Sequence, residues 1–261
     1  MANWYFNLPL WLSTSMVLVA CVGLGLGGHV AARAVLRRVA PQQETELAVT
    51  LMVVTAPIIG IMLAFSAVQV WEEYRQADQA VSAEAAATSE LYRDLTAYGP
   101  DSRPARQALI AYVRSVVNDE WPRLAIERDR SPKTGAALVR LYEAIAAIEP
   151  ATPRQTVIYG EAYKKLDEMV EHRRARLLAA TSALPTIFWL VVLIGSAIIV
   201  GYAVVFPATP ANQLLIAGLA VSIGLIFVFI LDVQDPYTGQ VAVSPSEMQG
   251  LLPLFEQLDA R

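Results

Sequence analysis

The stretch LAVTLMVVTAPIIGIMLAFSAVQVW, from Leu47 to Trp71, carries no Lys, Arg, Asp or Glu and gives way at Glu72 to EEYRQADQAVSAEAAATSELYRDL. The first part is long enough to cross a hydrocarbon core of about 30 Å, which takes roughly 20 apolar residues in a helix. The second part reads as an amphipathic helix. Trp71, Tyr74, Ala77, Val81, Ala85, Thr88, Leu91, Tyr92 and Leu95 recur at three- and four-residue intervals, while Glu72, Glu73, Arg75, Asp78, Glu84 and Arg93 fall largely off that stripe. A chain that passes from the one to the other without a breaker is a helix leaving a membrane.

Three further apolar runs of spanning length flank this pattern: Leu10 to Ala32 before it, and Ala183 to Phe206 and Ala211 to Leu231 after it. None contains a Lys, Arg, Asp or Glu. The expected fold is therefore all-α, with four transmembrane helices and a central extramembrane helical domain. Its divisions are a transmembrane hairpin over 1–71, the helical domain over 72–182, a second hairpin over 183–231 and a polar C-terminal tail over 232–261. No alternating strand pattern of useful length occurs.

Composition agrees. The 261 residues are 55% hydrophobic and 17% charged, with 20 basic and 24 acidic side chains and a formal net charge of -4, and nearly all the charge lies between Glu72 and Leu178. Mixed signs in balance exclude a nucleic-acid surface, which needs clustered basic excess. The single cysteine, Cys21, sits in the first span and excludes an intrachain disulfide framework. That span lacks a basic start and is followed by Arg33, Arg37 and Arg38 rather than a small-residue cleavage site, so it is expected to stay as a span.

Helix punctuation in the middle segment is explicit. Tyr98-Gly99-Pro100 stops the helix that begins in the second span, Asp101 and Pro104 open the next, and Ser131-Pro132 and Thr152-Pro153 each pair a capping side chain with a proline in the first turn. The helix starting near Pro153 carries Val157, Ile158, Tyr163, Leu166, Met169 and Val170 and runs toward the third span. Pro57 predicts a kink within the second span. Gly23, Gly27, Gly218 and Ser222 are helix-packing candidates, because small residues let helix backbones approach where lipid supplies no hydrophobic push.

An even number of spans places both termini and the central helices on one side. Arg33, Arg37 and Arg38 after the first span favour a cytoplasmic loop, which puts the central helices on the outer side, the periplasm if the membrane is a bacterial inner (plasma) membrane; Arg75, Arg173, Arg174 and Arg176 weigh the other way.

The chemistry-bearing residues form no catalytic constellation. His29 and His172 fall on opposite sides of the bilayer and cannot share a metal; His29 reads as an interfacial polar anchor and His172, in a basic run, as solvent-facing. H-E-x-x-H, Walker, G-x-S-x-G and CxxC motifs are absent, and the many carboxylates, set among basic neighbours, are expected on ion-paired surfaces. An enzyme, a cofactor and a metal centre are not expected. After the fourth span, Asp232 and Asp235 precede Pro236, Tyr237 and Gly239 and suggest a structured turn, either capping helices or contacting a cation through carboxylates and backbone carbonyls.

The second span running into Phe65, Val70-Trp71-Glu72-Glu73-Tyr74, then Ala77, Val81, Glu84-Ala85 and Leu91-Tyr92-Arg93, Asp119-Glu120-Trp121-Pro122, and Asp235-Pro236-Tyr237 with Gly239 and Val243-Ser244-Pro245, resemble the bestrophin-like family of bacterial four-span membrane proteins over almost the whole chain. That family is distantly similar to bestrophins, anion channels built as rings of subunits with the second span lining an apolar neck. The resemblance implies a homo-oligomer in the lipid bilayer, a pore for chloride or another small anion, and Ile58, Ile61, Met62 and Phe65 as pore-lining candidates. It also implies cytoplasmic central helices, opposite to the charge count. The competing expectation is a non-conducting membrane sensor or scaffold acting through its helical domain.

Overall fold

A computed structural model describes residues 8–39, 45–181 and 185–259, and among these every regular element is a helix. The all-α expectation is met. The contacts divide the chain into two units, one drawn from Met1–Glu72 and Ala183–Gln234, the other from Glu73–Ser182 and Asp235–Arg261.

The first unit contains α1 (Leu10–Val39), the N-terminal part of α2 (Thr45–Tyr98), α7 (Thr186–Tyr202) with a 3-10 turn over Ala203–Val205, and α8 (Pro210–Val233). These four helices are long and apolar enough to cross a membrane. The start of the expected third span, Ala183, lies outside the described residues, and so do the side chains of Arg37 and Arg38. α2 continues through Pro57, whose missing N–H leaves the carbonyl of Val53 without its helical donor. Hydroxyls inside the spans turn back on their own helices: Ser66 donates to Met62 O (2.9 Å), Ser196 to Val192 O (2.8 Å) and Ser222 to Gly218 O (3.0 Å).

Packing among the spans depends on where a side chain is missing. An added methyl at Gly25 would stand 3.1 Å from Ala220 Cβ, and one at Gly224 would stand 3.0 Å from Leu18 and 3.2 Å from Cys21 Cβ, so α1 and α8 meet through glycines. α2 meets α7 in the same way, with Ile59 filling the space a side chain at Gly195 would take. A small core of Leu63, Val192, Ile223 and Phe227 closes the group.

The second unit contains the rest of α2, a 3-10 turn over Pro100–Ser102, α3 (Arg103–Ser115), one turn of π-helix over Val116–Glu120, α4 (Trp121–Glu127), α5 (Pro132–Ala146), α6 (Pro153–Thr181) and α9 (Ser246–Asp259). Its breakers act where the sequence puts them. Gly99, at φ +115°, stops α2 in a conformation other residues rarely adopt. Ser131 Oγ accepts from Thr134 N (3.3 Å); Thr152 Oγ1 accepts from Gln155 N (3.2 Å) while Gln155 Oε1 accepts from Thr152 N (3.1 Å), a reciprocal capping box.

The C-terminal tail differs from a merely polar segment. α9 buries Met248, Leu251 and Phe255, and the Phe255 ring stacks on Tyr92 of α2 with centroids 3.9 Å apart. Its apolar positions are spaced three and four apart, but Pro253 inside the helix obscures the pattern in sequence.

Gly25→Leu drives a branched side chain into Ala220. We expect a loss of roughly 1–3 kcal/mol, read as a lower melting temperature by circular dichroism in detergent, with Ala220→Gly in the same chain recovering part of it. Additive effects of the two substitutions would contradict this contact.

Candidate functional site

Two places in the molecule carry features beyond ordinary packing. One is the outer face of α2 within its apolar part. Ile58, Ile61, Met62 and Phe65 stand at i, i+3, i+4 and i+7 and form one stripe. All four are exposed on the protomer, Phe65 at 68% and Met62 at 40%. The stripe continues through Leu51, Val54 and Val68, which are likewise exposed, and from Leu47 to Trp71 the helix has no ionisable side chain. Met62, Phe65 and Ser66 also border a cavity of about 370 Å³ against Ile187, Phe188, Val191 and Val192 of α7. Such a face holds apolar chains or a dry constriction; it cannot bind an ion by charge.

The other packing candidates lie elsewhere than the close contacts. Gly23, Gly27 and Gly218 have nothing within 4 Å of an added methyl, and Ser222 is exposed. Within the protomer, Gly25 and Gly224 make the approach instead. His29 is fully buried, its Nε2 donating to Phe206 O (3.2 Å), and Arg33 one turn on directs Nη1 to the carbonyls of Val204, Val205 and Phe206. A cation there satisfies the free carbonyls and opposes the negative end of α7 and its 3-10 turn.

The second place is the centre of the helical unit, where an ionic cluster sits out of water. Glu84 of α2 and Arg176 of α6 are both 0% exposed. Arg176 Nε donates to Glu84 Oε2 (2.6 Å) and its Nη2 to Glu120 Oε2 (2.8 Å), while Arg173 Nη2 donates to Glu120 Oε1 (2.6 Å). Tyr112 Oη donates to Glu84 Oε1 (2.6 Å), and Ser131 N donates to Glu120 Oε1 (3.3 Å). Trp121 places its ring 5.4 Å from the Arg176 guanidinium carbon, and Tyr237 meets Trp121 edge-on at 5.6 Å.

Two carboxylates and two guanidiniums balance, which is the condition for keeping charge in a core. Burial opposes the charge on Arg176, but Glu84 and Glu120 hold it protonated well above the ordinary arginine value. Burial, then Glu84, pushes the Tyr112 phenol well above its ordinary value, so it stays a donor. The π-turn brings Glu120 to this centre: the wider turn sets Val116 and Glu120 inward and leaves Asp119 half-buried, paired outside with Lys133 (2.9 Å).

These carboxylates correct the expectation of ion-paired surfaces. The signal was present, because Glu84 falls in register with Val81 and Thr88, and Arg173 and Arg176 continue the buried row of Leu166, Met169 and Val170. Opposite charges on two apolar stripes were the mark of an internal pair. His172 is half-buried beside this row rather than solvent-facing.

The turn after α8 belongs to the same unit from Asp235 onward. Asp235 is 4% exposed and accepts from Arg128 Nη2 of the residue ending α4, itself left-handed at φ 54°. Val243 N donates to Pro236 O (2.8 Å), and Gly239, at φ 84°, turns the chain between them. Its carboxylate is engaged by an arginine. Asp232, half-buried, ends α8.

Arg176→Met leaves Glu84 and Glu120 buried with fewer donors. We expect a loss of roughly 3–5 kcal/mol in unfolding of the purified protein followed by far-ultraviolet circular dichroism, while Arg174→Met, at an exposed neighbour, changes it little. Equal effects of the two would mean that the buried cluster does not support the unit.

Comparison with known proteins bears on the family and the fold. A family model described as a bestrophin-like domain matches residues 19–248. A bacterial bestrophin homologue from Klebsiella pneumoniae has the same fold: one crystal structure is 15% identical, covers 93% of this chain and 98% of that one, and gives a TM-score of 0.74. A variant of it is 14% identical over 94% and 99% of the two chains at a TM-score of 0.76, and a crystal structure described as a membrane protein is 15% identical over 94% and 99% at 0.74. No curated protein matches. The family model runs from the middle of α1 into α9, and the chain belongs to the bestrophin-like family.

Proposed function

We propose that copies of this chain assemble into a ring in a bacterial inner membrane, with α2 of each copy lining a central pathway for chloride or another small anion. The observation that carries this is the stripe of Ile58, Ile61, Met62 and Phe65, exposed on the protomer along a span with no ionisable group, in a chain of the bestrophin-like family. A ring of such side chains forms an apolar neck that stays dry when narrow and conducts when wetted. Large anions, which lose part of their hydration at low cost, pass such a neck more readily than small, strongly hydrated ones. The neck works by exclusion of water, so no bond is made or broken in passage. Asp235, held by Arg128, serves the turn after α8 in this proposal rather than a cation.

Orientation forms part of the proposal. Arg33, Arg37 and Arg38 lie in the last two turns of α1, whereas Arg173 and Arg176 near the end of α6 are spent on buried carboxylates, and this supports a cytoplasmic α1–α2 loop with the helical unit in the periplasm.

Purified protein in liposomes should carry chloride, and Phe65→Ala or Met62→Ala should raise the rate several-fold by widening the constriction. A stable oligomer that leaves the liposomes tight, in the wild type and both variants, would replace the pore with a non-conducting sensor or scaffold. For the orientation, Arg154→Cys in a Cys21→Ser background should react with an impermeant maleimide in cells whose outer membrane is permeabilised, and Ala208→Cys only after lysis; the reverse pattern puts the helical unit in the cytoplasm.

A further inference from the structure

Between α1, α7 and α8 lies a cavity of about 400 Å³ with no charged lining and very little polar surface. Its wall on α1 runs from Cys21 through Gly25 and Gly28 to Ala32, and α7 supplies Ala197 and Gly201. At 1.5 Å per residue that wall is about 16 Å long, close to half of a 30 Å hydrocarbon core, or about one leaflet. The space is real at the level of single atoms: a methyl built on Gly28 or Gly201 meets nothing within 4 Å. The one hydroxyl in the lining, Ser196, is already bonded to Val192 O. Apart from the Cys21 thiol, a weak donor, no uncommitted polar side chain lines the slot among the described residues.

One end of the slot has the opposite character. Val204, in the lining, gives its carbonyl to Arg33, and His29 and Arg33, one helical turn apart, both reach Phe206 O. Arg33 uses only Nη1 in these bonds among the described residues, so its Nη2 and Nε are not committed to them. His29 donates through Nε2, so its Nδ1 is an acceptor; that atom is buried with no partner among the described residues. Through Val204 a guanidinium therefore stands beside one end of a dry, leaflet-long slot, while the His29 acceptor stays enclosed in the protein.

We propose that this slot holds one acyl chain of an anionic phospholipid from the leaflet on the side of the α1–α2 loop, with the phosphate on Arg33. Dispersion contacts with the walls favour a chain here over the loose bilayer, since transfer from lipid to protein carries no hydrophobic gain. The charge at the mouth selects the head group, as basic pockets between spans do.

The test is native mass spectrometry of the purified protein with added phosphatidylglycerol or phosphatidylcholine, alongside thermal melts. Phosphatidylglycerol should be retained at one per protomer, with weaker retention of phosphatidylcholine. Arg33→Gln, which can still bond the carbonyls, should cut phosphatidylglycerol retention about tenfold. Gly28→Leu and Gly201→Leu, which fill the empty space, should abolish retention while the lipid-free melt stays unchanged. Undiminished retention in both filled variants, or equal retention of the two lipids that Arg33→Gln does not alter, would overturn the proposal. So would a disulfide between copies in Leu24→Cys, which would put a second copy in the slot.

Discussion

The buried pairing of Glu84 and Glu120 with Arg173 and Arg176 is the constraint on which the helical unit depends. Each of these ions left alone out of water costs several kcal/mol, so α2, the π-turn and α6 are held in the register that brings them together. The π-turn exists in service of that register. A regular helix through Val116–Glu120 would carry Glu120 away from Arg176, and the extra residue restores it. Trp121 and Tyr237 then cover the guanidinium, and Arg128 holds the Asp235 turn against α4. In other proteins, apolar residues of similar volume often replace such a pair at no loss of stability. What an ionic centre adds is a penalty for every other alignment of these helices.

The membrane unit is governed by a different solvent. Surrounded by hydrocarbon, its helices gain nothing by hiding leucines from one another, and Leu24, Leu214 and Leu215 point outward at 77%, 74% and 72% exposure. Close approach is made by absence instead, at Gly25, Gly195 and Gly224. Hydroxyls bond their own helices, and Arg33 covers the last carbonyls before Pro207. The same kind of small residue that permits contact at Gly25 leaves open space at Gly28 and Gly201.

Much of this was legible in the chain. Uncharged runs of spanning length and helical periodicity are long-range averages, robust to any one residue, and they mark the spans, the amphipathic helices and the caps at Ser131 and Thr152. Charge in register with an apolar stripe is a weaker mark, since Glu84 among four alanines reads equally well as a solvated helix face. α9 was hidden because Pro253 interrupts its pattern. The contacts at Gly25 and Gly224, rather than at Gly23, Gly27 and Gly218, depend on the rotation of α1 against α8, which spacing alone does not specify.

By itself, then, the sequence determined that this protein is helical, crosses a membrane four times and belongs with bestrophin-like chains, because the solvent demanded by each segment is written in its local composition. Only the tertiary structure decided which charges are internal, which glycines touch and which leave a void, because those depend on how helices are rotated and paired. Rotation is set by contacts far apart in the chain, and a difference of one residue along a helix turns a side chain by about 100°, enough to move it from a core to a surface.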